Sequence, residues 1–155
     1  MATKKQQRGF REVRKQFKKS EEKTQLPVRA DAKSAGYDFY SKETYVIQQG
    51  KSHIFWTDIK AFMLDDEVLM LYIRSSLGIK KGAVLANGTG VIDASYYNNK
   101  DNDGNIGICI QNNGKNPLII KKGDRIAQGV FMKYLVADKD ETLKDERTGG
   151  IGSSN

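Results

Sequence analysis

The chain predicts an all-β fold of antiparallel strands, closed as a sandwich, barrel or jelly roll. Three observations carry this expectation. From residue 37 onward the apolar residues fall in runs at 37–40, 45–47, 54–56, 68–73, 83–85, 106–110, 118–120 and 126–134, which are strand lengths rather than helix lengths. Between the runs stand Gln49-Gly50-Lys51, Leu64-Asp65-Asp66, Lys80-Lys81-Gly82, Asp101-Asn102-Asp103-Gly104, Asn112-Asn113-Gly114-Lys115 and Lys121-Lys122-Gly123-Asp124. Their Gly, Asn and Asp supply positive φ and side-chain-closed turns. Finally, the body offers one short amphipathic stretch, around residues 75–79, as a candidate helix, and many short strands without long helices read as a closed antiparallel fold.

In chain order, residues 1–24 come first and hold nine Lys/Arg against three Asp/Glu, or +6 of the total formal charge of +7. The rest of the 155 residues is therefore close to neutral. Phe10, Val13 and Phe17 have helical spacing, although the same segment fits an extended edge strand docked by its two aromatics. The Leu26-Pro27 step marks its boundary. The expected division is a basic N-terminal arm or edge element at 1–24, a β domain at 25–136, and a tail at 137–155. That tail is polar, then glycine-rich, with too few apolar residues to fold unless a ligand or partner orders it.

Several classes are excluded early. No apolar run approaches the roughly 18 residues that cross a bilayer, and the opening MATKKQQRGFREVRKQFKK has neither an apolar core nor a cleavage site for secretion. A reducing, cytoplasmic setting without membrane contact is expected. Cys109 is the single cysteine and His53 the single histidine, which removes an intramolecular disulfide, a zinc site and a metalloprotease helix. Cys109, inside an alternating strand, is expected to be a small buried hydrophobe; His53 reads as a plain strand residue. Gly50-Lys51-Ser52 imitates the end of a P-loop, but Tyr45 stands where its first glycine belongs. Asp101, Asp103 and Gly104 imitate a calcium loop whose last ligand would be Ile110, so a hairpin turn is expected instead.

Five polar, glycine-bearing segments suit an anionic ligand: Ala35-Gly36-Tyr37-Asp38, Arg74-Ser75-Ser76-Leu77-Gly78, and residues 87–96, 123–128 and 147–154. Arg74-Ser75-Ser76 sets a planar cation beside two hydroxyls, which matches phosphate oxygens. The segment from Arg147 repeats this with glycines that permit close backbone approach. Asp93 interrupts the apolar Gly90-Val91-Ile92. It reads either as a turn-capping aspartate or as a carboxylate that holds water for attack on phosphorus.

In this order AGYDF, RSSLG, GVIDASYY, KGDRIAQG and RTGGIGSS resemble the five motifs of the trimeric deoxyuridine triphosphatase (dUTPase) family, over roughly residues 26–154. The run at 97–104 is similar to a variant of Gram-positive bacteria and their phages, and the host would be a bacterium or a phage-infected one. The resemblance implies a dUTPase-like jelly roll, or β-clip, assembled as a homotrimer. Each site would draw on more than one chain and be closed by a flexible C-terminal arm. The implied reaction is Mg2+-dependent hydrolysis of dUTP to dUMP and pyrophosphate, which limits uracil incorporation into DNA and supplies dUMP for dTMP synthesis.

By the same resemblance Asp93 activates the water, Tyr96 presses on the deoxyribose, and Asn87 with the backbone around Gly90 reads uracil. Asp38 would hold a magnesium ion indirectly, through water. Arg74, Ser75, Ser76 and Gln128 would grip the phosphates, and Arg147, Gly150, Ile151, Ser153 and Ser154 would arrive with the arm. Asp124 and Arg125 are expected to fix a turn or an intersubunit contact. Ile151 stands where the family usually has phenylalanine, and Ile73 where it usually has proline, so weaker stacking over uracil and a less rigid second motif are expected. Three other readings compete: the related dCTP deaminase, a weak nucleic-acid contact through the basic arm, and a protein partner bound by the trimer.

Overall fold

The computed structural model describes residues 2–154. Among these residues there are twelve strands, all paired antiparallel, with one short α-helix and two 3-10 turns between them. The largest layer runs β2 (Val28–Arg29), β3 (Tyr37–Tyr40), β12 (Arg125–Lys133), β7 (Glu67–Ile73) and β9 (Gly90–Asp93), in that spatial order. Facing it are β5 (Ser52–Trp56), β10 (Gly107–Asn112) and β8 (Ala83–Leu85), joined in the order β5-β10-β8. Two small ladders complete the closure: β4 (Tyr45–Ile47) with β11 (Leu118–Ile120), and β1 (Gly9–Glu12) with β6 (Ile59–Phe62).

The period of two explains the layers. In β10 half-buried and buried residues alternate without a break, so Ile108 and Ile110 turn inward while Cys109 turns to the outer face. Phe39, Leu69, Leu71 and Ala127 from the large sheet meet Phe55, Leu85, Ile108 and Ile110 from the smaller one in a single core, with Ile47 and Ile120 closing its end. Cys109 is thus half-buried, not the buried hydrophobe expected. His53 stacks on Tyr45 with ring centres 3.5 Å apart and shares a 2.6 Å hydrogen bond with Glu43.

The expected helix is α1, Ser75–Lys81. Gly82 ends it in the left-handed region at φ 68°, donating back to the Gly78 carbonyl, while Lys80 and Lys81 sit where the carbonyl end of the helix favours cations.

At the N-terminus the extended alternative holds. Gly9–Glu12 pairs along Ile59–Phe62, Val13 is buried, and Phe10 packs against Tyr37, Phe39 and Phe131. Phe17 closes a single 3-10 turn at Lys15–Phe17. Four cations of this segment make contacts within the chain. Arg8 pairs with Glu67, Arg14 with Asp103 and Lys18 with Glu12, and Arg11 lies over the Phe62 ring. The pairing with Lys18 holds the Glu12 carboxyl below its ordinary pKa.

Candidate active site

The motif residues gather in two places. The first lies on the β3-β12-β7 part of the large sheet. Asp38 pairs across to Gln128, and Gln128 to Tyr72, in one row. Asp38 is buried and receives two arginines, with Arg74 Nε 3.4 Å from Oδ1 and Arg125 Nη1 3.4 Å from Oδ2. Gly36 leaves room for the Gln128 side chain, whose Oε1 would be 2.5 Å from any Cβ there. Ser75 and Ser76 open α1 beside Arg74, both exposed, where first-turn amides lack carbonyl partners within the helix. Asp124 does what the sequence suggested, since its Oδ2 accepts the Lys121 N–H at 2.9 Å and closes the turn. Arg125 does not share that task. The bulge between Arg125 and Ala127 re-aims the strand start, and Arg125 turns to Asp38. Sequence reading missed this role because it depends on cross-strand register, which a single strand does not display.

The second place is the β8-to-β9 connection and the 3-10 turn Ala94–Tyr96 that follows it. Gly88 turns the chain at φ 75°. Gly90 then lies so close to Leu71 that a Cβ would be 2.7 Å from the Leu71 Cβ, which fixes how deeply the connection sits. Asp93 ends β9 with its carboxylate about half exposed. Tyr96 is buried and its hydroxyl is used twice, donating to the Asn105 carbonyl at 2.7 Å and accepting from Asn102 Nδ2 at 2.8 Å. Burial pushes the phenol pKa up.

Residues 147–150 pack onto this second place. Arg147 Nη1 stands 3.2 Å from Asp93 Oδ2, and its guanidinium carbon lies 5.2 Å from the centre of the Tyr96 ring. The same side chain braces its own turn, donating from Nε to the Gly149 carbonyl at 2.7 Å and from Nη2 to the Gly150 carbonyl at 3.0 Å. Ser153 Oγ donates to the Gly149 carbonyl at 2.8 Å. Asn87, Gly90, Asp93, Tyr96, Arg147, Ile151 and Ser154 border one cavity of about 270 Å³, with Leu71, Leu85 and Cys109 as its apolar wall. Asp93, Arg147, Ser153 and Ser154 also border a second cavity of about 320 Å³. The Asp93–Arg147 pair therefore stands between the two. Ile151 is 72% exposed at the rim.

The chain does not bring its two groups together. Asp38 and Asp93 are three strands apart in the large sheet and displaced by the four residues separating Tyr72 from Val68. At strand spacings of ~4.8 Å and ~3.3 Å per residue the two backbone positions are about 20 Å apart, too far for both side chains to attend one phosphate. Among the described residues no group of three or more His, Cys, Asp or Glu could hold a metal ion. Asp38, the carboxylate expected near a metal, is ion-paired with both Arg74 and Arg125.

Known proteins resemble the chain in sequence and in fold. A family model described as dUTPase matches residues 22–155. The deoxyuridine 5'-triphosphate nucleotidohydrolase of Lactococcus lactis subsp. lactis (strain IL1403) is 48% identical over 130 residues, 83% of this chain and 87% of its own. The protein of the same name from Yaba monkey tumor virus is 40% identical over 114 residues, 74% of each chain. Among solved structures, the dUTPase from Streptococcus mutans superposes with a TM-score of 0.73 at 40% identity, covering 84% of this chain and 98% of that one. The dUTPase from phage phi11 of S. aureus, at 22% identity and a TM-score of 0.69 over 90% of this chain and 97% of its own, shares the fold. The chain belongs to the dUTPase family of nucleotide hydrolases.

Proposed function

We propose that the protein hydrolyses dUTP to dUMP and pyrophosphate, with Asp93 as the general base. The observation that carries this reading is the meeting of Asp93, Tyr96 and Arg147 at one cavity of nucleoside size. A half-exposed carboxylate at a strand end can accept a proton from water as that water attacks the α-phosphorus. The new bond joins the water oxygen to the α-phosphorus. The bond from that phosphorus to the bridging oxygen breaks, its electron pair leaving with pyrophosphate. Arg147, close to the carboxylate, is placed to stabilise the charge that develops on the phosphates. Catalysis of this kind rests on position and electrostatics without a covalent intermediate.

Substrate choice follows from the walls. The Tyr96 ring, locked by its two hydroxyl bonds, would lie against the deoxyribose and leave no room for a 2′-hydroxyl. Asn87 and the backbone around Gly90 would read uracil, rejecting thymine by its methyl group and cytosine by mismatched donors and acceptors. Ile151 gives apolar cover at the mouth. Arg74, Ser75, Ser76 and Gln128 would hold the phosphate chain, with Gly150, Ser153 and Ser154 joining from the C-terminal segment. Magnesium carried by the triphosphate would supply charge neutralisation, with Asp38 holding one of its waters. The separation of about 20 Å between the two motif groups supports a homotrimer in which one copy supplies Asp93 and another supplies Asp38. The cellular role would be to keep uracil out of DNA and to furnish dUMP for dTMP synthesis in the cytoplasm.

The test is pyrophosphate release from dUTP, dCTP and dTTP, each with magnesium and with chelator. Release from dUTP alone, abolished by chelation, supports the proposal. Equal release from dCTP or dTTP contradicts the base-reading roles of Asn87 and Gly90.

A further inference from the structure

The loop at 97–105, which follows Tyr96, touches both ends of the chain. On one side Asp103, fully buried, accepts the Arg14 backbone N–H at 2.8 Å and the Lys60 ammonium at 2.9 Å. Asn105 Nδ2 donates to the Phe17 carbonyl at 3.3 Å. The N-terminal segment lies almost wholly outside the region matched by the family model, yet it is fastened to this loop. On the other side Asp101 Oδ2 accepts the Gly150 N–H at 2.8 Å. The fit there is steric as well. A Cβ on Gly149 would lie 2.4 Å from Asp101 Oδ2, and one on Gly150 would lie 3.0 Å from Asn102 Nδ2.

The loop between these two attachments is stiff. Asn99 Oδ1 accepts the N–H groups of Asp101 at 3.0 Å and Asn102 at 3.1 Å, and Asn99 Nδ2 donates to the Tyr96 carbonyl at 2.8 Å. Asn102 reaches back to the Tyr96 hydroxyl. One small unit therefore holds the ring of Tyr96 and receives the glycines that follow Arg147.

We propose that Asp101 is a positioning residue that seats the C-terminal segment. By taking the Gly150 amide it fixes the turn from which Arg147 reaches Asp93 and the Tyr96 face. Asp101 lines neither cavity beside Asp93 and acts through Arg147. Glycines at 149 and 150 let a bare backbone settle against the Asp101 and Asn102 side chains, which a Cβ at either position would push aside. The inference deepens the dUTP reading and rests on it for the catalytic consequence, while the seat itself stands on contacts within the chain.

The test compares Asp101→Ala, Asp101→Asn and Gly150→Ala with the wild type in the full chain. It uses amide hydrogen exchange of a peptide spanning 145–154 together with steady-state dUTP kinetics. A hydrogen bond to a charged acceptor is worth roughly a tenfold change. Asp101→Ala is expected to speed exchange at 145–154 by about that factor, with peptides from β3, β7 and β12 and the melting temperature unmoved, because Asp101 is exposed. The kcat for dUTP should fall by up to about tenfold, in the same direction as loss of Arg147 itself, while KM changes less. Gly150→Ala should reproduce this, and Asp101→Asn should recover most of it, since its amide oxygen still accepts. Unchanged exchange at 145–154 in Asp101→Ala, or a loss of protection spread through the sheet, overturns the seat. Faster exchange at 145–154 in a protein whose wild type leaves dUTP intact removes the catalytic reading and keeps the seat. Wild-type hydrolysis of dUTP with neither readout moved in the variants does the reverse.

Discussion

Arg147 and Asp93 lie fifty-four positions apart in the chain and meet at 3.2 Å over the buried ring of Tyr96. The contact joins the end of the edge strand β9 to the last glycine-rich stretch of the chain. A basic side chain held there by its own turn carbonyls is a charge arranged before substrate arrives, which is where electrostatic stabilisation has its largest effect.

Replacing Arg147 by alanine is expected to lower kcat by about two orders of magnitude, in line with loss of a preorganised charge donor. Because the guanidinium also braces the carbonyls of Gly149 and Gly150, Arg147→Lys should recover little. Steady-state kinetics on dUTP decide this, and a rate within a few-fold of wild type would remove Arg147 from the site.

Tyr96 separates two jobs. Tyr96→Phe deletes a hydroxyl that satisfies Asn105 and Asn102 and should cost about 1–2 kcal/mol of stability while leaving the preference for dUTP over UTP in place. Tyr96→Ala removes the ring, and the preference should collapse. Melting curves and the ratio of kcat/KM for the two nucleotides separate these outcomes.

Asp103 predicts a pH dependence of stability. Its burial acts to raise the carboxyl pKa, but the Arg14 N–H, the Lys60 ammonium and the Arg14 guanidinium together outweigh that and hold it below the ordinary value. A folded pKa below the unfolded one means that the unfolded chain binds the proton more readily. The stabilisation is therefore fully present above the unfolded value of about 3.9 and is lost as the pH falls from there through the folded pKa. Asp103→Asn should lower stability near neutrality by about 3 kcal/mol, because Lys60 is left buried without its acid, and should flatten the acid limb. Melting temperature measured from pH 3 to pH 7 for both proteins checks the slope; an unaltered acid limb would falsify the role of Asp103.

Ile151 sits 72% exposed at the cavity rim. An aromatic ring there gains on the order of 1 kcal/mol over a base beyond its area, so Ile151→Phe should lower KM for dUTP several-fold. Titration of a nonhydrolysable dUTP analogue would show the same gain, and an unchanged affinity would mean that the rim closes differently.

Runs such as Tyr37–Tyr40, Tyr45–Ile47, Ala83–Leu85 and Leu118–Ile120 were legible in the sequence to the residue, because each is a short apolar run bounded by turn chemistry. Ile59–Phe62 was not, because Lys60 breaks the apolar pattern and becomes buried only by meeting Asp103, forty-three positions away. The N-terminal segment stayed open for a related reason: the spacing of Phe10, Val13 and Phe17 suits a helix or an edge strand, and the partner that makes it a strand is β6. For the site, residue types and motif order were legible, and so was the turn role of Asp124. Their grouping was not. The contact of Arg125 with Asp38, the seat at Asp101 and the distance between the two motif groups all follow from register and closure, which residue spacing does not encode.

The most direct measurement is dUTP turnover by Asp93→Asn beside the wild type, with affinity for a nonhydrolysable analogue measured on both. Asparagine keeps the shape of the side chain and cannot take a proton from water, so the expected result is a fall in kcat of at least ~10²-fold with affinity nearly unchanged. A variant that still releases pyrophosphate at close to the wild-type rate would contradict the assignment of Asp93 as the base.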